Sequence, residues 1–351
     1  MNFTKKSFII VCLSILVFTF GNCGNNSFDK DTEEEQKSNA AIAASLVVNK
    51  TSNGSGTGSP SFTISGTITG LSASGLVLQN NRAEDLTVTS GATTFSFATK
   101  VTGYYLVTVK TQPGSLLCSV SSETGNATGD VNNVSINCNS CGGSKETYNW
   151  GVFTDCQNGT VALEIPSGRM GTVKLKQQIV YFAKCTYGQT YNSATNDCTG
   201  TGDSTNDYGA TTVQLCATNH LDCRGGNKNN PISSGPAFNA CNGMNLDGRS
   251  WRIASQEEMQ MIIHCTDKRM IFSQTLCGAG NYTSPSISNL FPNTVWANTS
   301  NKQYWTPGHY AGDTNSTSVH TIDFYIGDMN DISSGGYAYT GNAYLRCVSG
   351  P

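Results

Sequence analysis

Short apolar and β-branched runs, separated by Gly, Asn and Ser, recur between residues 61 and 139. Runs of this kind, bounded by turn residues, are typical of short β-strands. Seven of them follow one another: FTISGTITGL, GLVLQN, LTVTS, FSFAT, YYLVTVK, CSVSS and VNNVSINC. The pattern predicts a small all-β domain over 61–139, folded as a sandwich.

The pattern changes after residue 140. The segment CGGSKETYNWGVFTDCQNGTVALEIP predicts a turn followed by strands, and KLKQQIVYFAKC predicts a further strand. Residues 187–247 are rich in Gly, Asn, Asp and Thr, and we expect long loops held by disulfides there. The region 140–351 is therefore predicted to be a second, cysteine-rich domain.

One helix is predicted in that domain, within WRIASQEEMQMIIHC. Ser255 and Glu258 fit the S-x-x-E capping box at a helix start. Met259, Ile262 and Ile263 then share one face at helical spacing. His264 follows near the helix end, where we expect a surface or capping residue rather than a catalytic one.

The first residues, MNFTKKSFIIVCLSILVFTFGNC, form a leader with two lysines and an apolar stretch too short for a comfortable membrane span. Its small-residue context before Cys23 resembles a bacterial lipoprotein signal, in the looser spirochaetal form because Asn22 precedes the cysteine. The resemblance implies a signal peptide over 1–22 and lipidation of Cys23; an ordinary secretory leader is the alternative. Residues 23–60, with an acidic run and the Gly/Ser stretch NKTSNGSGTGSP, are predicted to be a flexible tether.

Composition agrees with an exported β-rich protein. Only 13% of the 351 residues are charged, and the net charge is -3. An acidic chain has no global electrostatic reason to bind nucleic acid or an anionic membrane surface, so we expect no nucleic-acid partner.

Fourteen cysteines are present; Cys12 lies in the leader and Cys23 is assigned to lipid. An even number of cysteines in an exported chain points to disulfides. Cys118 lies in one late strand and Cys138 ends the last, so we expect a bond between them. The C-x-x-C spacing of Cys138 and Cys141 leaves a metal or redox site as the alternative, but no second C-x-x-C follows, and we predict no metal and no cofactor. The remaining twelve cysteines are Cys118, Cys138, Cys141, Cys156, Cys185, Cys198, Cys216, Cys223, Cys241, Cys265, Cys277 and Cys347.

Two family resemblances extend these predictions. The runs over 61–139 resemble a bacterial immunoglobulin-like repeat of surface proteins, which implies a stalk or spacer, with a ligand-binding module as the alternative. Residues 235–350 resemble the C-terminal domain of the collagen-like adhesin of Legionella, although Ala254 replaces the usual proline. The motifs that carry this second resemblance are WRIAS with QEEM, then FPNT, YWTP, IDF and YLRCV.

These resemblances imply a fold class and a function. The fold would be mostly β: an immunoglobulin-like β-sandwich followed by a disulfide-rich α+β domain of the C-type-lectin-like kind. Leader, repeat and terminal domain together resemble a leptospiral surface lipoprotein. The family of the terminal domain implies adhesion, including to sulfated glycans.

The residues offer candidates for such binding. Trp296, Trp305, Tyr304 and Tyr310 could stack on sugar rings, although Trp251 and Trp305 also fit a core. Arg249, Arg252, Lys268 and Arg269 could pair with sulfate, while Arg346 fits a structural pair. We take Trp296, Tyr304, Lys268 and Arg269 as the candidate ligand-binding residues. Calcium is an open alternative near Asp323, Asp328, Asn330 and Asp331.

No P-loop, H-E-x-x-H motif, dinucleotide fingerprint or nucleophile elbow occurs in the sequence, so we expect no enzyme. The sequence predicts a lipid-anchored bacterial surface protein of the outer membrane that presents an adhesin domain to glycan or host matrix protein. The alternative is a structural envelope lipoprotein without a soluble ligand.

Overall fold

The computed structural model describes residues 59–165, 178–199, 202–217 and 233–264, and several shorter segments from 286 to 350. These shorter segments are 286–287, 289–295, 303–306, 318–319, 321–323, 328–329, 337–338 and 341–350. All of them belong to one compact unit, Gly58–Pro351. The leader, Cys23 and the tether up to residue 58 lie outside the described residues. Within the described part of the chain, no helix is both long and apolar enough to cross a membrane.

The first part of this unit is a β-sandwich of two four-stranded sheets. One sheet has the order β4-β1-β8-β6 and the other β3-β2-β5-β7. All seven predicted strands are present, and a short additional strand, β7, lies between the last two. The strands are β1 (Ile64–Thr69), β2 (Leu76–Asn80), β3 (Glu84–Val88), β4 (Thr94–Ser96), β5 (Tyr104–Thr111), β6 (Leu116–Ser121), β7 (Thr124–Asn126) and β8 (Val131–Ser140).

Side chains that alternate along these strands form the core of the sandwich. In β1, Ile64 and Ile68 are buried, and the polar residues between them are more exposed. The first and last strands, β1 and β8, pair in parallel. A Cβ atom at Gly66 would lie 1.9 Å from the carbonyl oxygen of Val134 in β8, so this close pairing requires a glycine.

The second part is built on a six-stranded sheet of order β14-β23-β12-β11-β10-β9. Strands β9 to β12 form a meander at the start of the region, and β23 from its end, followed by β14 from its middle, adds to one edge. Their bounds are β9 (Lys145–Tyr148), β10 (Gly151–Asp155), β11 (Thr160–Ile165), β12 (Gln178–Ala183), β14 (Arg252–Ile253) and β23 (Cys347–Ser349). The strands expected after residue 140 are thus present.

Smaller strand pairs and two short helices complete this part. The helices are α1 (Pro236–Asn242) and α2 (Gln256–Met261). The pairs are β13 (Val213–Gln214) with β22 (Asn342–Ala343), β15 (Ile263–His264) with β16 (Ser286–Ile287), and β18 (Ser318–Val319) with β21 (Tyr337–Ala338). A three-stranded sheet joins β17 (Gln303–Trp305), β19 (Thr321–Asp323) and β20 (Asp328–Met329).

Both faces of the six-stranded sheet are buried. On one face, Phe153 and Phe182 belong to a cluster that includes Met259 and Ile262 of the α2 region. On the other face, Tyr181 and Ile253 belong to a cluster that includes Cys241 of α1. The helices therefore lie on opposite sides of the sheet, in an α+β arrangement.

Helix α2 confirms the predicted capping box. The Ser255 hydroxyl accepts a hydrogen bond from the Glu258 amide at 3.3 Å, and the Glu258 carboxylate accepts one from the Ser255 amide at 2.8 Å. The helix is shorter than the spacing suggested, because it ends at Met261 and Ile263 begins β15.

The prediction that His264 is a surface residue is wrong. His264 lies in β15 and is only 9% exposed. Its Nε2 lies 2.9 Å from the hydroxyl oxygen of Tyr148, and that hydroxyl donates to Glu146. The partner Tyr148 is 116 residues away in sequence, so the local pattern could not indicate it.

Four disulfides are fully described: Cys118–Cys138, Cys141–Cys156, Cys185–Cys198 and Cys241–Cys347. Cys216 is also disulfide-bonded. Cys118 and Cys138 face each other in the β6–β8 ladder, the pair suggested by the strand order. The two cysteines of the C-x-x-C motif belong to different disulfides, so the motif is neither a dithiol nor a metal-ligand pair.

Candidate functional site

The motifs that carry the adhesin resemblance meet around Arg346, whose side chain is fully buried. Its Nη1 donates to the carbonyl oxygens of Ala183 and Lys184, and its Nη2 donates to the hydroxyls of Thr186 at 3.2 Å and Thr294 at 2.8 Å. Burial lowers the pKa of the guanidinium. Arg346 is structural, as expected, but its described partners are neutral oxygens instead of a paired carboxylate. Through them it joins the end of β12 to the FPNT segment.

Tyr304 is not a sugar-stacking residue, contrary to the prediction. It is fully buried in β17, and its hydroxyl contacts the Thr186 hydroxyl at 2.9 Å and accepts from the Val295 amide at 3.0 Å. Burial raises the pKa of this phenol. The neighbouring Trp305 is also fully buried, and its indole nitrogen donates to the Val213 carbonyl at 2.6 Å.

Two of the arginines considered for sulfate already have carboxylate partners. Arg252 makes a two-pronged ion pair with Glu258 at 2.6 and 2.7 Å, and this hydrogen bonding raises the pKa of Arg252. Arg249 pairs with Asp247 at 2.8 Å, and its guanidinium lies 3.4 Å from the Tyr181 ring centroid. An anionic ligand would have to compete with both carboxylates, so neither arginine is a good sulfate contact.

The structure places only some of the remaining candidates for ligand and calcium binding. Trp296, Lys268, Arg269 and Tyr310 lie outside the described residues. Of the calcium candidates, Asp323 and Asp328 face each other in the β19–β20 ladder, while Asn330 and Asp331 also lie outside. Among the described residues, no group of three or more His, Cys, Asp or Glu side chains could hold a metal ion.

Three separate segments form a half-exposed polar and aromatic surface that the sequence did not indicate. Gln189 organises it, because its side-chain nitrogen donates to the Asn293 carbonyl at 2.8 Å and to the Asp207 carbonyl at 3.3 Å. The Thr211 amide also bonds to the Tyr187 carbonyl at 3.0 Å, which fixes the loop before Gln189. We call this surface the tyrosine–amide patch; its residues are Tyr187, Gln189, Asp207, Tyr208 and Asn293, all half-buried.

The centre of the patch has an unusual backbone. Asp207 and Tyr208 have φ values of 54° and 53°, a left-handed conformation that bulky residues adopt at a cost. The Asp207 carboxylate is held from the other side, because the Tyr344 hydroxyl donates to it at 2.6 Å. Burial, followed by this hydrogen bond to Asp207, raises the pKa of Tyr344. Tyr208 is thus presented by a constrained turn.

Sequence reasoning missed this patch for a simple reason. Gln189 and Asn293 are 104 residues apart, and Tyr344 and Asp207 are 137 apart. No local motif records such contacts. The only available signal was the FPNT motif, which brings Asn293 to the patch and immediately precedes Val295 and the undescribed Trp296.

Comparison of the chain with protein-family profiles, with curated proteins and with solved structures gave no match in any of the three.

Proposed function

We propose that this chain is a lipid-anchored bacterial surface protein that presents a binding domain for glycan or host matrix protein. The leader and Cys23 support export and anchorage, since two or more acyl chains hold a protein stably on a membrane. The oxidised state of the described cysteines supports a compartment outside the cytoplasm. We place the protein in the outer membrane, exposed at the cell surface.

The two parts of the compact unit have different proposed roles. We classify the sandwich as immunoglobulin-like and assign it the role of a spacer. Support comes from its two four-stranded sheets and the cluster of buried hydrophobic side chains that they share. We classify the second part as C-type-lectin-like, supported by its small sheet, short helices and disulfide-linked loops.

The observation that carries the binding proposal is the contrast between the motifs and the patch. The motif residues Arg346, Tyr304 and Trp305 are all fully buried, so the recognisable residues hold the scaffold together. The tyrosine–amide patch, in contrast, is half-exposed and comes from segments outside most of these motifs. A rigid scaffold that presents less regular segments is the usual construction of a binding domain.

The chemistry of the patch suits a polyhydroxylated ligand. A tyrosine ring offers a flat apolar surface for a sugar face. The side-chain amide of Asn293 can donate to or accept from hydroxyl groups, and the Asp207 carboxylate can accept from them. The carboxylate of Asp207 does not favour an anionic ligand. A sulfated glycan would therefore need Lys268 and Arg269, which remain the proposed anionic contacts together with Trp296 as an aromatic contact.

The test is binding of the mature full-length chain to arrays of glycans and matrix proteins. Tyr208→Ala should weaken binding to any ligand found, and Tyr104→Ala, which removes a half-exposed tyrosine from the sandwich, should not. Circular dichroism establishes that both variants are folded. Equal binding of the two variants would show that the patch is not the binding site. Absence of binding to every array member would favour a structural lipoprotein without a soluble ligand.

A further inference from the structure

A buried lysine at the end of β12 has unusual surroundings. The side chain of Lys184 is 2% exposed, and its Nζ lies 2.6 Å from Oδ2 of Asp155, which is 3% exposed. Lysine is almost never fully buried unless it is paired. Asp155 is the last residue of β10, and Lys184 directly follows β12. Both lie at the same end of their strands, so the two charged groups meet past the end of β11, the strand between β10 and β12.

A carboxamide completes the group. Asn196 lies in the loop closed by the Cys185–Cys198 disulfide and has a left-handed backbone with φ of 56°. Its Oδ1 accepts from Lys184 Nζ at 2.9 Å and from the Tyr191 hydroxyl at 2.8 Å. Its Nδ2 donates to the same Asp155 Oδ2 at 2.6 Å. One carboxylate oxygen therefore contacts both the amine and the amide nitrogen.

We propose that Lys184 and Asn196 react to form an intramolecular isopeptide bond, with Asp155 as the proton carrier and Tyr191 as the oxyanion donor. This proposal is independent of the ligand-binding function. An ion pair between Lys184 and Asp155 would need neither the amide nor the tyrosine, whereas the reaction uses all four side chains.

The reaction is balanced without any other reagent. Lys184 passes a proton to Asp155, and the neutral amine attacks Cγ of Asn196 while the Tyr191 hydroxyl stabilises the oxyanion. Asp155 returns its proton to Nδ2, the C–N bond of the amide breaks, and ammonia leaves. Asp155 then takes the second proton of the attacking nitrogen and gives it to the ammonia, so that ammonium is released and one C–N bond replaces another.

The site is prepared for this step in two ways. The short disulfide loop fixes Asn196 beside Lys184, which replaces a bimolecular encounter by a positioned one. The Asp155 carboxylate is itself oriented, because Oδ1 accepts from the Gln157 amide at 2.9 Å.

A second group made of a lysine, an aspartate and a side-chain amide lies exposed on the sandwich and serves as an internal comparison. Asp85 pairs with Lys110 and accepts from the Gln79 amide at 2.7 Å, but the side chains of Lys110 and Asp85 are 48% and 44% exposed. Both side chains are solvated, and an exposed ion pair of this kind holds its members less firmly than a buried one. We expect no covalent bond there.

The experiment is peptide mapping of the mature full-length chain, purified from an oxidising compartment, then reduced, alkylated and digested with trypsin. An acylated lysine is not cut by trypsin. The expected product is a peptide spanning residues 177–224, uncut after Lys184. It should be lighter than the sequence by one ammonia, about 17 Da. Cleavage after Lys110 should be normal in the same digest.

Variants distinguish a covalent bond at Lys184 from mere resistance of this site to trypsin. Asn196→Ala should restore cleavage after Lys184, and Lys184→Arg should be cut at position 184 because trypsin also cuts after arginine. Asp155→Asn should reduce the crosslinked fraction to background, and Tyr191→Phe should slow its formation. The wild-type digest decides the matter even if a variant does not fold.

Two results would overturn the proposal. One is complete cleavage after Lys184 at the unmodified mass. The other is loss of ammonia with normal cleavage after Lys184, which would indicate cyclisation of the backbone at Asn196 and Asp197 instead.

Discussion

Replacing Ser255 by alanine is a direct test of how α2 begins. The change removes the hydroxyl that accepts from the Glu258 amide at 3.3 Å, while Glu258 keeps its hydrogen bond from the Ser255 amide and its ion pair with Arg252. Loss of a serine cap costs about 1 kcal/mol. We therefore expect a small and well-defined loss of stability without loss of the fold.

The natural tryptophans allow this loss to be measured in the second part of the protein alone. All four lie there, at positions 150, 251, 296 and 305, and the three that the structure describes are buried. Urea unfolding followed by tryptophan fluorescence, with the disulfides intact, reports on this part. With a slope of about 2.5 kcal/mol per molar urea, the midpoint should fall by about 0.4 M.

Ser193→Ala is the matched control, because Ser193 is an exposed turn serine of the same part. Its midpoint should remain close to that of the wild type, since exposed substitutions away from special features change stability little. Glu258→Ala should cost more than Ser255→Ala, because it also removes the partner of Arg252. Equal midpoints for Ser255→Ala and Ser193→Ala would show that the cap does not stabilise α2 and would refute the reasoning.

The remaining predictions concern anchorage, oxidation and binding. Cys23→Ala should prevent lipidation and move the protein out of the detergent phase; partitioning equal to wild type would contradict the anchor. Thiol labelling of the denatured, unreduced protein should find none of the twelve cysteines free, and disulfide mapping should join Cys216 to one of the undescribed cysteines; two or more free thiols, or bound zinc, would exclude this. Trp296→Ala, or Lys268→Glu with Arg269→Glu, should weaken ligand binding without unfolding, and salt should weaken it further if exposed charges contribute. Binding that is unchanged in both variants and independent of salt would place the ligand on another face.

The features predicted well from the sequence depend on neighbouring residues. The seven strands of the sandwich follow from alternation and turn residues, and the capping box of α2 needs only Ser255 and Glu258, three positions apart. The length of α2 was less predictable, because Ile263 fits the helical spacing but pairs with Ile287 in a strand instead. Tertiary pairing overrode a local pattern there.

The candidate site depends on distant residues and was largely not predictable. An aromatic side chain such as Tyr304 looks the same in the sequence whether it stacks on a ligand or fills a core. Tyr304 is buried in a cluster assembled from distant segments, and its hydroxyl contacts Thr186, 118 residues away. The group of Lys184, Asp155 and Asn196 has no spacing signature either, since only the strand order brings the first two together.

Capture of membrane vesicles that carry the lipidated protein, on surfaces coated with glycans or matrix proteins, tests the central claim most directly. Vesicles from cells that lack the protein are the reference. The account predicts protein-dependent capture on at least one surface, and weaker capture when the protein carries Tyr208→Ala. Equal capture of vesicles with and without the protein on every surface would contradict a role in adhesion.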